Sequence, residues 1–264
     1  MTVALGMTSM GAIFVCADSN VVTNDGMVIS GYKLAGRELG ASGSFVIANA
    51  SDDGNASNMV AEEILEELSK GENRRNLEAT VKKVMKRWHS SYVQGTPPPM
   101  QFVLAVRSGM QSRSLYFCEP PSTVLKKYLH ESIVVGTGSP TIEPLLPQVV
   151  LGPLRLREAL IRAAYLMYRA KKDHALLKGS DTDVLVIAEA NGDVRQITRE
   201  EMKAAEEIGP HVDFMLRYCY LGLLGVSPRD YPPSFPEKMN ESFREARERA
   251  DQIAFPSLEG MKGI

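Results

Sequence analysis

The 264-residue chain is long enough to bury a large core, and its size favours one domain, or one domain with an appendage. Hydrophobic residues make up 44% and charged residues 23%, while 30 lysines and arginines nearly balance 32 acidic residues, leaving a net charge of -2. That balance gives no reason to expect nucleic acid or a membrane surface as a main partner, and three dispersed cysteines exclude a disulfide framework or Cys-rich metal site.

Val3 to Met7 and Ala12 to Ala17 are short apolar runs joined by Thr8-Ser9-Met10-Gly11, a hairpin pattern. Asn24-Asp25-Gly26 marks another tight turn, and 27–34 and 44–50 read as further strands. An amphipathic helix is predicted over about 56–70, with Met59, Val60, Ile64, Leu65 and Leu68 as its buried stripe. A second covers about 77–90, with Val81, Val84, Met85 and Trp88 facing the core. Three prolines at 97–99 preset extended backbone. Strands follow at about 101–107, 113–118 and 132–136, then the turn Gly136-Thr137-Gly138-Ser139-Pro140. A long helix over 154–172 leads to a strand at 183–188, a turn at Asn191-Gly192 and a returning strand at 194–197.

This order of strands, two helices, strands, helix and strands suits two antiparallel sheets stacked face to face, with helices covering their outer faces. No GxGxxG or GxxxxGK[ST] loop occurs, and the lone GTGS at 136–139 is too little for a nucleotide site. No cofactor is expected.

The remaining residues form a helical C-terminal extension over 198–264, distinct from a domain at 1–197. Thr198 and Glu201 fit a capping box for a helix to about Glu207. Val212 to Leu224 is an apolar helix that must be covered by the domain or by a neighbouring subunit. Ser227 to Pro236 reads as a proline-rich connector, and Asn240 as the cap of a charged helix reaching Ile253. The chain has neither a basic-then-apolar leader nor a run of about 18 apolar residues, so the cytosol is the expected compartment.

Candidate chemistry begins at Met1-Thr2. Removal of Met1 would leave a residue carrying both a hydroxyl and an α-amine, a nucleophile and a general base in one. An α-amine has a reference pKa of about 8, so part of it is unprotonated at neutral pH. Asp18 closes the apolar run GAIFVCA, and Lys33 interrupts VISGYKL. By strand alternation Lys33 could point to solvent. Turned inward, its ammonium would disfavour protonation of the amine and attract a developing alkoxide, with Asp18 holding it in place. The four histidines, His89, His130, His174 and His211, form no zinc spacing, and Asp52-Asp53 is more simply a hydrated turn than a cation site.

TVALGM, GAIFVCADS and YKL together resemble the opening of catalytic proteasome β subunits and of the related bacterial peptidase of the ATP-dependent two-component protease. Thr2 and Asp18 fit that pattern without a gap, and Lys33 with one residue missing from the connection. The likeness continues through FVIANASDDGNASNMV, VVGTGSP and SDTDVLVIAEANGDV, covering roughly 2–197. It implies a four-layer α/β/β/α sandwich of the N-terminal-nucleophile hydrolase type. It also implies Thr2 as nucleophile and base, Lys33 as the group that lowers the amine pKa, and Asp18 as its anchor. Ser51 falls where the family has a glycine whose N–H helps bind the oxyanion. Thr137 matches a hydroxyl near the threonine amine, with Ser139 beside it. Asp173 and Ser180 are the nearest matches to an aspartate and serine that the family places before the strand at 183–188, although their separation departs from the pattern. The implied activity is hydrolysis of peptides or unfolded protein through a threonyl ester, in a homo-oligomeric ring that an ATP-dependent unfoldase feeds. A small-molecule amidohydrolase and a catalytically silent assembly subunit are the alternatives on the same fold.

Overall fold

The computed structural model describes residues 2–22, 28–39, 43–51, 53–71, 76–91, 100–108, 112–118, 125–128, 131–149, 152–223 and 235–261. The turn at 24–26, the prolines at 97–99 and most of the connector at 227–236 lie outside them, as do Met1, Asp52 and His130.

Strand β1 (Ala4–Ser9) turns through Met10 and Gly11 into β2 (Ala12–Asp18), with Ala4 opposite Ala17 and Ser9 opposite Ala12. These two form the centre of an antiparallel sheet ordered β10-β1-β2-β11-β12, where β10 is Ser132–Val135, β11 Thr182–Ala188 and β12 Val194–Ile197. A second antiparallel sheet runs β5-β6-β7-β8-β9, from Leu34–Glu38, Ser44–Ser51, Met100–Ser108, Ser112–Cys118 and Lys126–Tyr128. Among the described residues, β3 (Asn20–Val22) and β4 (Val28–Ser30), which lie between β2 and β5 in sequence, form a separate two-stranded pair.

Every residue of β2 and β6 is buried, because each strand is covered on both faces. Ala4, Ile13, Val15 and Ala17 from one sheet meet Val46, Ala48, Ala50, Val103 and Ala105 from the other. Small side chains let the sheets approach closely, and Gly6 shows how closely: a Cβ there would lie 2.6 Å from Val103 Cγ1. The outer face of the first sheet packs Leu5, Phe14, Cys16 and Val184 against α5 (Leu156–Asp173) and α6 (Arg199–Glu206). The outer face of the second packs Phe45, Ile47, Phe102 and Leu104 against α1 (Gly54–Ser69) and α2 (Leu77–Ser91).

The helices follow their expected periodicity with three corrections. α1 begins at Gly54, two residues early, because the Asp53 side chain caps it by accepting the Ala56 N–H at 3.0 Å. Asp53 is therefore a helix cap and not merely a hydrated turn residue. Met59 is 74% exposed, since the stripe that meets the sheet runs through Ser57, Val60, Ala61, Ile64, Leu65 and Leu68. Trp88 is half-buried at the edge of that core.

Two further short helices, α3 (Ser139–Ile142) and α4 (Leu146–Val149), follow β10. After β12, the Thr198–Glu201 capping box opens α6 as expected. α7 spans Gly209–Leu223 and α8 Phe235–Gln252, so α8 starts five residues ahead of Asn240. Pro236 near its start is tolerated because the first helical N–H groups lack intrahelical partners. Residues beyond 197 also enter the core of the first sheet, through Met202, Ala205, Ile208, Ile253, Phe255 and Met261.

Candidate active site

The end of the first sheet where β1 begins and β2 stops gathers four of the candidate residues. Thr2 is buried beside the turn that follows β10. Its backbone N–H donates to Thr137 Oγ1 at 3.0 Å, and its carbonyl accepts the Gly138 N–H at 3.1 Å. Gly136 has φ +105°, and a Cβ there would stand 2.4 Å from the Thr2 carbonyl oxygen. Glycine is thus what lets the turn close over the chain start. Gln101, on β7, accepts the Gly136 N–H through Oε1 and steadies the turn from the second sheet.

Asp18 ends β2 opposite Thr182 and is fully buried. One carboxylate oxygen accepts the Val3 N–H at 2.7 Å; the other accepts the Asn20 N–H at 3.1 Å and the Lys33 ammonium at 2.7 Å. Lys33 is 1% exposed. The alternation argument that could have sent it to solvent does not apply, because residues 31–33 belong to no strand. This segment crosses from β4 to β5, with the Gly31 N–H on the Ser19 carbonyl and the Lys33 carbonyl accepting the Asn49 N–H. The crossing turns the side chain inward onto Asp18. Burial pushes the Lys33 ammonium down from its ordinary value, against the opposing pull of Asp18 and Asp183. The buried ion pair is thus anchored on the backbone N–H of Val3, the residue after Thr2.

The other candidates fall around this centre with different bonds. Ser51 ends β6, buried, and its hydroxyl accepts the Asp53 N–H at 3.2 Å. Ser139 opens α3, and its N–H donates to the Gly136 carbonyl at 2.9 Å. Asp173 sits in the last turn of α5 and pairs with Arg169 at 3.0 Å. Ser180 donates its hydroxyl to the Leu177 carbonyl at 2.7 Å, closing the turn before β11. Hydrogen bonds therefore take Asp173 and Ser180 to partners other than Thr2, Asp18 and Lys33. The segment they bracket does border the site: Asn20 Nδ2 donates to the Leu176 carbonyl at 2.8 Å, and the Asp181 N–H donates to Ser19 Oγ at 2.9 Å. His174 bonds Thr141 Oγ1 across 2.7 Å, behind the Thr137 turn. Two surface grooves, one with Met10, Phe255 and Met261 and the other with Met59, Glu62 and Trp88, share no residue with this constellation.

Sequence reasoning missed Asn20, Gln101, Asp183 and Arg199. Asp183 is a fully buried carboxylate on β11 that Arg199 meets with two bonds, of 2.7 and 3.0 Å. An acidic residue at the mouth of the apolar run VLVIA was the available signal. Arg199 lies two residues beyond the stretch of resemblance and gave none. Cys16 is fully buried, and burial and then Glu206 push its thiol well above the ordinary range, which disfavours the thiolate. Among the described residues no cluster of His, Cys, Asp and Glu could hold a metal ion.

No family model matches the sequence, and neither does any curated protein. Solved structures do match. Anbu from Hyphomicrobium sp. strain MC1 superposes with a TM-score of 0.67 at 14% identity, over 83% of this chain and 96% of that one. The fold is similar to that of Anbu. Anbu from Yersinia bercovieri, described as an ancestral beta-subunit, gives 0.63 at 14% identity over 86% and 98% of the two chains. Anbu from Pseudomonas aeruginosa, solved in a helical assembly, gives 0.64 at 15% identity over 88% and 98%. Nearly the whole of each Anbu chain is thus spanned, at identities that carry the fold alone.

Proposed function

We propose that this chain is a threonine-type peptidase on a four-layer α/β/β/α N-terminal-nucleophile hydrolase fold. The observation that carries the reading is the buried Lys33–Asp18 pair, anchored on the Val3 N–H beside a Thr2 whose nitrogen rests on Thr137. Removal of Met1 converts that nitrogen from an amide to an amine. The amine takes the Thr2 hydroxyl proton as Oγ1 attacks a peptide carbonyl, and later returns it to the leaving amine. Water then attacks the threonyl ester by the reverse proton path. Lys33 keeps the amine unprotonated and stabilises the alkoxide by its charge, which counts most where water is excluded. No hydrogen bond of the Thr2 hydroxyl occurs among the described residues, which leaves that oxygen available. The Ser51 backbone lies at the end of β6 as the candidate oxyanion donor.

Peptides or unfolded protein are the substrates this reading implies, in the cytosol, with an ATP-dependent unfoldase to supply them. The Anbu relative in a helical assembly supports homo-oligomerisation. A closed ring of this chain would hide Thr2 from folded proteins. The 198–264 region is read as a helical extension that packs on the 1–197 domain or on a neighbouring subunit. Among the described residues no helix is long and apolar enough to cross a membrane.

One observation favours a second reading, a catalytically silent assembly subunit: Asp173 and Ser180 are bonded to Arg169 and Leu177 instead of completing the site. Intact-mass analysis of the native protein, with and without a peptide electrophile directed at threonine, decides between them. The peptidase reading expects loss of Met1 and a single adduct on Thr2. Retained Met1 with no adduct selects the silent subunit.

A further inference from the structure

Lys33 is carried by a crossing segment, 31–33, that belongs to no strand and whose backbone is tied by the Gly31 N–H to the Ser19 carbonyl and by the Asn49 N–H to the Lys33 carbonyl. Arg199, the first residue of α6, converges on that segment from outside the first sheet. Its Nη1 donates to Ser30 Oγ at 3.2 Å, its Nη2 donates to the Gly31 carbonyl at 3.4 Å, and its guanidinium lies 4.8 Å from the centre of the Tyr32 ring. The other side of the same guanidinium forks onto the buried Asp183, at 2.7 and 3.0 Å, and reaches Asp181 at 3.4 Å.

Lys33 is bonded to Asp18 on β2, while Asp183, buried on the adjoining strand β11 opposite Ala17, adds a weaker pull that favours its charged form. A second buried carboxylate near the ammonium would compete with Asp18 for it. Arg199 occupies both oxygens of that competitor. We propose that Arg199 is a positioning residue for Lys33: it clamps Ser30–Tyr32 and engages Asp183, leaving the ammonium to Asp18 and the Thr2 amine. The proposal rests on the peptidase reading for its catalytic meaning, while its charge arrangement is measurable without catalysis.

R199M removes the fork but keeps much of the apolar bulk. Hydrolysis of a fluorogenic peptide is expected to lose about 10²-fold in kcat, the scale of a roughly 1 Å misplacement, with KM within about 2-fold. A defect of structure alone would stop there, so the deciding readout is the titration of Lys33 in isotopically labelled protein, its resonance assigned by loss in K33R. In R199M the freed Asp183 holds the Lys33 proton more tightly, and the titration moves up by about 1 pH unit. In D183N/R199M it returns towards the wild-type position.

An unchanged Lys33 titration in folded R199M overturns the proposal. If R199M does not fold, D183N carries the test. Loss of that carboxylate is expected to move the Lys33 titration down, and an unmoved titration again overturns the proposal. A wild-type protein that hydrolyses no peptide and takes no Thr2 adduct defeats the peptidase reading instead, while the titration series still decides the role of Arg199.

Discussion

Asp18 and Asp213 are both shut away from water and both collect positive partners, yet they use them differently. Asp213, on α7, accepts from Tyr165 and Arg169 at 3.0 Å each and from Lys172 at 2.5 Å. All three donors stand on α5, so the cluster staples one helix to another. Burial alone would raise the Asp213 carboxyl, but Lys172, Arg169 and Tyr165 together hold it below its ordinary value, and Lys172 in turn stands above its own. Asp18 receives one cation and two backbone N–H groups, and the Lys33 ammonium it holds is pushed down instead of up. The contrast separates a structural ion cluster from a candidate site. At Asp213 two cations and a phenol from one helix converge on a single carboxylate, whereas at Asp18 one buried cation shares the carboxylate with the backbone beside Thr2.

The largest test of that contrast is removal of Lys33. K33M is expected to lose about 10²–10⁴-fold in kcat. It also leaves Asp18 buried without its cation, at a cost of about 3–5 kcal/mol. D18N/K33M removes both charges and should recover most of that stability in a urea melt without recovering activity. Recovery of activity in the double variant would contradict the role given to the ammonium.

D213N supplies the opposite arm: a loss of about 2 kcal/mol with kcat unchanged. The folded Asp213 carboxyl lies below its unfolded value, so the unfolded chain takes up the extra proton first. The stabilisation is complete above about 3.9 and fades as pH falls through the lower folded value. Urea midpoints measured from pH 7 downward should therefore fall less steeply at the acid end in D213N than in the wild type. A drop in kcat for D213N would erase the distinction between the two clusters.

The pH–rate profile sharpens the comparison further. On the peptidase reading, activity needs the Thr2 amine unprotonated and Lys33 protonated, which gives a bell. The alkaline limb belongs to Lys33 and should fall below the ordinary lysine value of about 10.4, because burial favours the neutral amine. A limb at or above that value would show an ammonium no more acidic than one in water.

How much of this was legible from residues alone differs between the two regions. The strands at β1 and β2 and the helices α1, α2 and α5 follow from apolar periodicity, because each buries one or two faces against a sheet. β9, only three residues long, and the unusual burial of Lys33 could not follow from it. Periodicity is silent about a residue in a crossing between two sheets, so it left Lys33 free to point either way, and the resemblance to proteasome β subunits was what favoured the inward pairing with Asp18. The resemblance in turn carried no information on Arg199 or Asp213, since both lie beyond the stretch it covers. Asp173 and Ser180 show the reverse case: the sequence offers the right residue types near the right place, and local helix-end and turn bonds claim them.

Thr137 carries the smallest effect. Its hydroxyl accepts the Thr2 N–H at 3.0 Å, but the residue is exposed, so water can replace that contact when the hydroxyl is removed. T137V should therefore cost about 1 kcal/mol of transition-state stabilisation, about 5-fold in kcat, with little change in melting behaviour. T137S keeps the oxygen while dropping the methyl group and should hold wild-type kcat. On the peptidase reading, once Met1 is removed the same oxygen faces an amine that must stay unprotonated to act as base. Its service is orientation, and an acceptor that bound the amine too well would favour the ammonium. The valine variant accordingly should lower kcat at every pH without shifting the acid limb upward. A shift of that limb to higher pH would mean that Thr137 instead helps keep the amine neutral, by donating its proton to the nitrogen.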